Sequence, residues 1–193
     1  SRLSDFTTAS KTLFNNKDVK FISINVSSFD AFKHSSLSLV GDAKSCVEDL
    51  NNRLNSQGFT VSQKYEKEII NLKEAWDKEV DRIFDLNNEP KISQGEVIGI
   101  VSNFMEKEDT VVGAAGSLPG DMHKLWRTKN GSQYHMEYGY SCMGYEIAGG
   151  LGIRMAKKEG EVFVMVGDGS YLMMNSEIVT AVQEDQKLII ILV

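Results

Sequence analysis

The chain has 193 residues, 41% of them hydrophobic and 25% charged, and its formal net charge is −6. This composition is typical of a soluble globular protein of one or two domains. The acidic balance, without a basic stripe, argues against nucleic acid as a partner, and no apolar run approaches the ~18 residues of a membrane span. Cys46 and Cys142 are isolated and lack metal-type spacing, which favours a reducing, cytoplasmic setting.

The first part of the chain is predicted to belong to an α/β domain. Residues 19–26 and 37–40 have the apolar, β-branched character of strands, and residues 43–54 place apolar side chains at helical spacing. A polar stretch ending in glycine then closes this helix. We therefore assign residues 1–55 to part of an α/β domain whose beginning is missing.

A long charged helix is predicted to connect this domain to the next. Residues 62–86 contain neither glycine nor proline, and apolar residues recur in them every three or four positions, which indicates an amphipathic helix. Its charges are interpreted as a solvated face rather than as a binding surface. Residues 87–90 break the helix, so residues 56–91 are assigned to a helical linker.

Strands and helices alternate in residues 92–193, which we assign to a second domain. The predicted elements are a helix at 93–106 with a capping box between Ser93 and Glu96, a strand at 110–112, a helix at 144–158, a strand at 162–166, a helix at 177–183 and a strand at 188–193. This alternation predicts an α/β fold, a parallel sheet flanked by helices. Because a chain seldom ends inside a buried strand, we expect the sequence to be a piece of a longer protein.

An aspartate between two glycines follows the strand at 162–166. Gly167, Asp168, Gly169 and Ser170 lie where the strand ends, the edge at which open α/β sheets bind ligands. Glycine lets the backbone approach a ligand and a helix N-terminus favours phosphate, whereas a carboxylate repels it. Mg²⁺ resolves this conflict because it binds carboxylate and phosphate oxygens together. We therefore predict that Asp168 binds Mg²⁺ and that Gly169 and Ser170 contact a diphosphate.

The glycine-flanked aspartate is a weak signal alone, because aspartate also suits an ordinary turn between a strand and a helix, and Ser170 also suits a helix cap. A second loop of small residues, with Gly116 and Ser117, follows the strand at 110–112 and strengthens the diphosphate interpretation. Other phosphate motifs fail, since the glycines at 149–152 lack the G-x-G-x-x-G spacing and no P-loop lysine is present.

The segments around these loops resemble the thiamine-diphosphate-dependent enzymes. Residues 167–169 match the opening of that family's G-D-G motif, residues 141–145 resemble its G-S-M-G segment, and residues 109–117 resemble its earlier strand and phosphate loop. The resemblance implies thiamine diphosphate and Mg²⁺ as cofactors, with Asp168 as a metal ligand.

The same resemblance implies further cofactor contacts. Gly116 and Ser117 would contact the diphosphate or the pyrimidine, with an ordinary surface turn as the alternative. Met143 matches the bulky apolar residue beneath the bent cofactor, although by itself a methionine before a helix of small residues reads as core. The main-chain carbonyl of Ser141 matches the acceptor for the aminopyrimidine.

Longer strings resemble a narrower family, the hydrolases that open a cyclic 1,2-dione in myo-inositol catabolism. These strings are residues 116–121, 135–146 and 166–179, while residues 2–6 and 19–26 resemble the end of that family's central domain. The implied function is hydrolysis of a carbon–carbon bond in a small-molecule substrate. Two alternatives stay open, an acetolactate-synthase-like decarboxylase or carboligase and, for the isolated chain, a non-catalytic binding module.

Two parts of the family's active site lie outside this chain. Family spacing puts the second metal ligand, an asparagine, about two residues beyond Val193. The activating glutamate belongs to an N-terminal domain and usually acts across a subunit interface. The resemblance therefore implies that the full-length enzyme is a homo-oligomer, dimer or tetramer, and that the isolated fragment is inactive. It identifies no catalytic residue among these 193 residues.

For two remaining groups of residues, a structural role is favoured over a functional one. Gly149, Gly150 and Gly152 are expected to allow a helix to pack closely against the sheet rather than to contact the cofactor. Polar and aromatic side chains in the predicted loops before Ser141 are candidate substrate contacts, with solvation or local pairing as the favoured alternative. These candidates are His123, Trp126, Arg127, His135 and Glu137.

Overall fold

The structure is a computed structural model that describes residues 3, 8–10, 12–131 and 133–193. The chain divides into two units, Ser1–Lys67 and Glu68–Val193. Residues 2–6, which carried part of the family resemblance, lie outside the described residues apart from Leu3. The domain boundaries at 55 and 91 remain predictions.

The first unit contains a short parallel sheet of two strands. Its elements are β1 (Ile22–Asn25), α1 (Ser28–Ala31), β2 (Leu37–Val40) and α2 (Ala43–Ser56), with 3-10 turns at Thr12–Phe14 and Lys33–Ser35. Ile22 pairs with Leu37 in the sheet. The Asp42 side chain accepts a hydrogen bond from the Ser45 N–H at 3.0 Å, which caps α2 where the sequence predicted a helix to begin.

The second unit contains most of the alternating elements. They are α3 (Gln63–Phe84), which begins in the first unit, α4 (Gln94–Phe104), β3 (Thr110–Gly113), α5 (Ser117–Leu125), β4 (Tyr134–Met136), α6 (Tyr145–Ala156), β5 (Val162–Val166), α7 (Asp168–Met173), α8 (Glu177–Gln183) and β6 (Ile189–Leu192). The capping box of Ser93 and Glu96 is present at the start of α4. Helix α5 and strand β4 were not predicted.

The strands of the second unit form one parallel sheet in the order β4-β3-β5-β6. Parallel strands are buried on both faces, and every residue of β3 and β5 is buried. The prediction of a parallel sheet flanked by helices is therefore confirmed. Among the described residues, the structure shows no helix with the length and apolar character to traverse a bilayer.

Alternate side chains of the sheet enter two different cores. Val111, Phe163 and Met165 join the core beneath α3, α4 and α5, whereas their neighbours Val112 and Val164 join the core beneath α6. Helix α3 contributes Val80 to the first of these cores, as its amphipathic pattern predicted. The sheet is therefore packed on both faces, and the loops after β3 and β5 begin at fully buried strands.

Candidate functional site

Strands β3 and β5 are neighbours in the sheet, but the helices that follow them pack on opposite faces. Leu118 of α5 belongs to one core, and Tyr171 of α7 and Ile178 of α8 pack against the other. The chain therefore leaves two adjacent strands in opposite directions, and ligands of open α/β sheets bind in the crevice at such a switch point. The predicted loops at 116–117 and 168–170 both lie at this edge.

The loop after β3 presents backbone rather than side chains. Gly116 has φ of 99°, a conformation that side chains rarely adopt, and a Cβ built there would meet nothing within 4 Å. Gly116 and Ser117 are exposed, and Ser117 begins α5. The first N–H groups of a helix have no partner within it, so this loop offers hydrogen-bond donors to an anion.

The loop after β5 exposes the predicted metal ligand. Asp168 is exposed at the first position of α7, and its Oδ1 accepts the Gly169 N–H at 2.7 Å. Gly167 is the N-cap of this helix and Ser170 is its third residue, so the alternative interpretation of Ser170 as the helix cap is wrong. Ser170 is buried, and its hydroxyl points to protein groups described below.

A third loop brings Ser141 and Met143 to the same edge. Ser141 lies in the left-handed region with φ of 56°, and the Glu137 carboxylate accepts the N–H groups of Tyr140 at 3.0 Å and Cys142 at 2.8 Å. These backbone donors, Cys142 first, lower the pKa of Glu137 below its ordinary value. Met143 is 45% exposed at the end of the loop. Glu137 therefore shapes this loop through its backbone contacts.

A buried glutamate that the sequence interpretation missed joins all three loops. Glu146 is 1% exposed, and its carboxylate accepts the Ala115 N–H at 3.2 Å, the Gly144 N–H at 3.0 Å and the Ser170 hydroxyl at 2.9 Å. The Ser170 Oγ also accepts the Gly144 N–H at 2.8 Å. The available signal was a lone acidic residue near the start of a helix whose other charged residue is Arg154.

Two of the candidate substrate residues are in regular structure, not in loops as predicted. His123 lies in α5, where its Nδ1 is 3.2 Å from the Tyr134 Oη, and burial lowers the pKa of its imidazole. His135 lies in β4, with Nε2 2.8 Å from the Tyr145 Oη. Burial also raises the pKa of the Tyr134 phenol. Both histidines therefore have local partners, as the structural alternative proposed.

Arg127 and Trp126 face other parts of the second unit. The Arg127 guanidinium donates to the Asp81 carboxylate at 2.7 Å and to the Asp77 carbonyl at 2.8 Å, which ties it to α3. The Trp126 indole N–H is buried and has no hydrogen-bond partner among the described residues. Arg127 therefore acts as an anchor for α3.

The glycines of α6 differ in what they contact. A Cβ on Gly150 would lie 2.4 Å from Cγ2 of Val164 in β5, and one on Gly149 would lie 2.4 Å from the Tyr145 ring. A Cβ on Gly152 would meet nothing within 4 Å. The expectation of close packing against the sheet is thus confirmed for Gly150, while Gly149 accommodates a neighbouring ring and Gly152 faces open space.

The donor set of these loops fits a diphosphate held with a divalent metal. The β3 loop exposes backbone N–H groups next to a glycine that carries no side chain, and the β5 loop exposes one carboxylate, Asp168. Among the residues that the structure describes, no three His, Cys, Asp or Glu side chains gather into a metal site. Mg²⁺ is commonly held by one or two carboxylates together with phosphate oxygens and water, so a single carboxylate matches this use.

A comparison with protein families indicates which cofactor this kind of site binds. Residues 114–193, which include all three loops, match the family "Thiamine pyrophosphate enzyme, C-terminal TPP binding domain". This match confirms the resemblance of residues 114–193 to thiamine-diphosphate (thiamine pyrophosphate) enzymes. The match begins directly after β3 and extends to β6, so it includes the loops on both sides of the crevice.

Three similar curated proteins share one name. The chain is 46% identical to the 3D-(3,5/4)-trihydroxycyclohexane-1,2-dione hydrolase of Clostridium perfringens (strain 13 / Type A). It is 41% identical to the proteins of that name from Clostridium tetani (strain Massachusetts / E88) and Bacillus anthracis. Each alignment covers 100% of this chain and 33% of the relative. The chain thus spans about a third of the length of these curated relatives.

Proposed function

We propose that this chain supplies the diphosphate side of the cofactor site in a thiamine-diphosphate- and Mg²⁺-dependent hydrolase. Its substrate is trihydroxycyclohexane-1,2-dione, a ring whose carbon–carbon bond between the two carbonyls is opened with one water to give 5-deoxy-glucuronate in myo-inositol degradation. The observation that carries the proposal is the convergence of three loops, at 115–117, 141–144 and 168–170, on one edge of the sheet. The name of these relatives supports the choice of substrate.

In this proposal the residues of the chain bind and orient the cofactor. Asp168 holds Mg²⁺, and the backbone around Gly116, Ser117, Gly169 and Ser170 binds the diphosphate, because N–H groups at helix starts and glycine loops suit an anion. The exposed backbone after β3 suits the diphosphate, and the exposed carboxylate after β5 suits the metal ion that accompanies it.

The other two residues act on the organic part of the cofactor. Met143 supports its bent shape with a flexible apolar side chain, and the Ser141 carbonyl accepts a hydrogen bond from its pyrimidine amino group. The left-handed conformation of Ser141 and the exposure of Met143 are compatible with these roles. When bound, thiamine diphosphate supplies the electron sink that lets a bond between two carbonyl carbons break.

The test uses the full-length protein and two substrates. Purified protein loaded with thiamine diphosphate and Mg²⁺ is incubated with the cyclic dione or with pyruvate, and the products are identified by mass spectrometry. Ring opening of the dione, with loss on removal of either cofactor, is the expected result. Turnover of pyruvate without turnover of the dione would instead support the acetolactate-synthase-like alternative.

A second measurement addresses the 193-residue chain and its assembly. Calorimetric titration of the isolated chain with thiamine diphosphate and Mg²⁺ is expected to show weak or no binding and no turnover, the behaviour of a non-catalytic module. Sedimentation of the full-length protein is expected to give a homo-oligomer, dimer or tetramer. A monomer with full activity would contradict the proposed assembly.

A further inference from the structure

We propose that Glu146 is a positioning residue that sets the mutual arrangement of the three loops of the cofactor site. The proposal rests on the proposed function for what the loops bind, and on the hydrogen bonds of Glu146 for how they are held. Each of the three donors to Glu146 comes from a different loop: Ala115 after β3, Gly144 before α6 and Ser170 after β5. One buried side chain therefore joins segments up to 55 residues apart in the sequence.

The positions of these donors argue for a role in the site and not only in the core. Ala115 directly precedes Gly116, and Gly144 directly follows Met143. Ser170 follows Gly169 in the first turn of α7. Two hydrogen bonds to Glu146 thus fix the backbone beside predicted cofactor contacts, and the third holds the side chain of the predicted contact Ser170. A small misplacement of binding groups strongly weakens recognition.

The chemistry of the contact requires a carboxylate. Two backbone N–H groups and one hydroxyl all donate toward Glu146, so its side chain serves as an acceptor on both oxygens. A glutamine has the same shape but directs an NH₂ group at these donors, and at 1% exposure solvent water has little access to replace the lost contact.

The same hydrogen bonds indicate what the side chain of Ser170 does. Its hydroxyl donates to Glu146 and accepts the Gly144 N–H, so both functions of the oxygen are used within the protein. We infer that the Ser170 side chain links the loops and that any diphosphate contact at this position comes from the backbone. Removal of this hydroxyl is then a second, milder way to loosen the same arrangement.

The chain offers a matched control at Glu96. This glutamate is also buried, at 6% exposure, and its carboxylate also accepts two backbone N–H groups and one serine hydroxyl, from Asn88 at 3.1 Å and from Ser93 at 2.8 and 2.7 Å. Neither donor residue is a predicted cofactor contact. Glu96→Gln therefore removes the same kind of interaction from the same unit without touching the three loops.

The experiment compares Glu146→Gln and Ser170→Ala with Glu96→Gln and Ser93→Ala in the full-length protein. For each variant, the unfolding midpoint is measured without cofactor, and the dissociation constant for thiamine diphosphate is measured at saturating Mg²⁺ by calorimetry at a temperature where circular dichroism shows the variant folded. Hydrogen exchange of the Ala115 and Gly144 amides is followed without cofactor. This last readout does not depend on the identity of the ligand.

We expect Glu146→Gln to weaken cofactor binding about tenfold or more and Ser170→Ala several-fold, as loss of hydrogen bonds to a charged group implies. Both should speed exchange at Gly144. Glu96→Gln and Ser93→Ala should lower the unfolding midpoint to a similar degree while binding thiamine diphosphate within about twofold of wild type. Such a split separates positioning of the site from general stability.

Three outcomes would overturn the proposal. They are unchanged affinity in Glu146→Gln, an equal loss of affinity in the Glu96→Gln control, and, if Glu146→Gln does not fold, unchanged affinity in Ser170→Ala. Failure of the wild-type protein to bind thiamine diphosphate would reject the proposed function instead. In that case unchanged exchange at Ala115 and Gly144 in the variants would still reject the linking role of Glu146.

Discussion

The Met143 Cε lies 3.4 Å from the position that a Cβ on Gly169 would take, although the two residues belong to different loops, 26 positions apart in the sequence. The end of one side chain thus lies near the Cα of a glycine in another loop. An added methyl group at Gly169 would meet only the flexible end of a thioether, so the fold itself tolerates it. This contact makes it possible to separate the stability of α7 from its proposed role in binding.

Gly169→Ala is expected to keep or raise stability while weakening cofactor binding. Gly169 lies within α7, where alanine is favoured over glycine by about 0.5–1 kcal/mol. The proposed diphosphate, however, needs close approach to this backbone, and we expect its affinity to fall about tenfold or more. In the full-length protein, thermal unfolding without cofactor and calorimetric titration with thiamine diphosphate and Mg²⁺ measure the two effects. An unchanged affinity would mean that the cofactor does not approach Gly169.

Asp168→Asn is expected to abolish tight Mg²⁺ binding with little effect on folding. Asp168 is exposed, and the amide oxygen of asparagine can still accept the Gly169 N–H, so the free energy of unfolding should change by less than about 0.5 kcal/mol. Loss of the negative charge removes the attraction for the cation, and we expect half-saturation by Mg²⁺ to rise about tenfold or more. Activity measured against Mg²⁺ concentration gives this value.

The matched control for this change is Asp85→Asn, at an exposed position of the same unit. It removes the same charge from the protein, so any general electrostatic effect on Mg²⁺ appears in both variants. An identical Mg²⁺ dependence in the two variants would remove Asp168 from the proposed metal site.

The sequence predicted those parts of the fold that depend on local pattern. β5 is a continuous apolar run, and the start of α4 carries the complete capping box of Ser93 and Glu96, so both were found close to their observed bounds. β4 has three residues and is held by pairing with β3, a contact with partners about 23 residues earlier. α5 contains Pro119 and Gly120, which obscured its helical pattern.

The sequence predicted the exposed groups of the site but not the buried glutamate that joins its loops. Gly116 and Asp168 are recognised by residue type at the end of a strand, because glycine and carboxylate have definite chemical uses there. Glu146 was missed because hydrophobic patterning treats an acidic residue as solvated. Its burial depends on donors from three distant loops, a relation that exists only once the sheet has brought these loops together.

Gly150→Ala and Gly152→Ala are expected to have opposite effects on stability. The Cβ at position 150 would lie 2.4 Å from Val164 Cγ2, so α6 must shift away from β5, and overpacking of this kind costs about 1–3 kcal/mol. At position 152 the Cβ meets nothing within 4 Å, and alanine should stabilise the helix by about 0.5–1 kcal/mol. Urea unfolding of both variants measures the difference. Equal effects would contradict close packing of Gly150 on the sheet.

The contribution of Glu137 to stability is expected to disappear in acid. The N–H groups of Cys142 and Tyr140 lower the pKa of this carboxyl below its ordinary value of 4.5, so the folded state holds a proton there less readily than the unfolded state. The stabilisation is therefore complete above the unfolded pKa and is lost as pH falls through the lower folded value. Glu137→Gln removes this stabilisation at every pH. The expected loss of unfolding free energy is only about 1 kcal/mol, because solvent screens the contacts.

The measurement is the difference in unfolding free energy between wild type and Glu137→Gln as a function of pH. This difference should stay constant from neutral pH down to about 5.5 and shrink below the ordinary value of 4.5. Glu96→Gln is a positive reference, because hydrogen bonds from Ser93 also lower the pKa of Glu96. A difference for Glu137 that does not vary with pH would mean that its carboxylate does not hold the loop at residues 139–142. The left-handed backbone conformation of Ser141 would then have to be held by contacts other than those of Glu137.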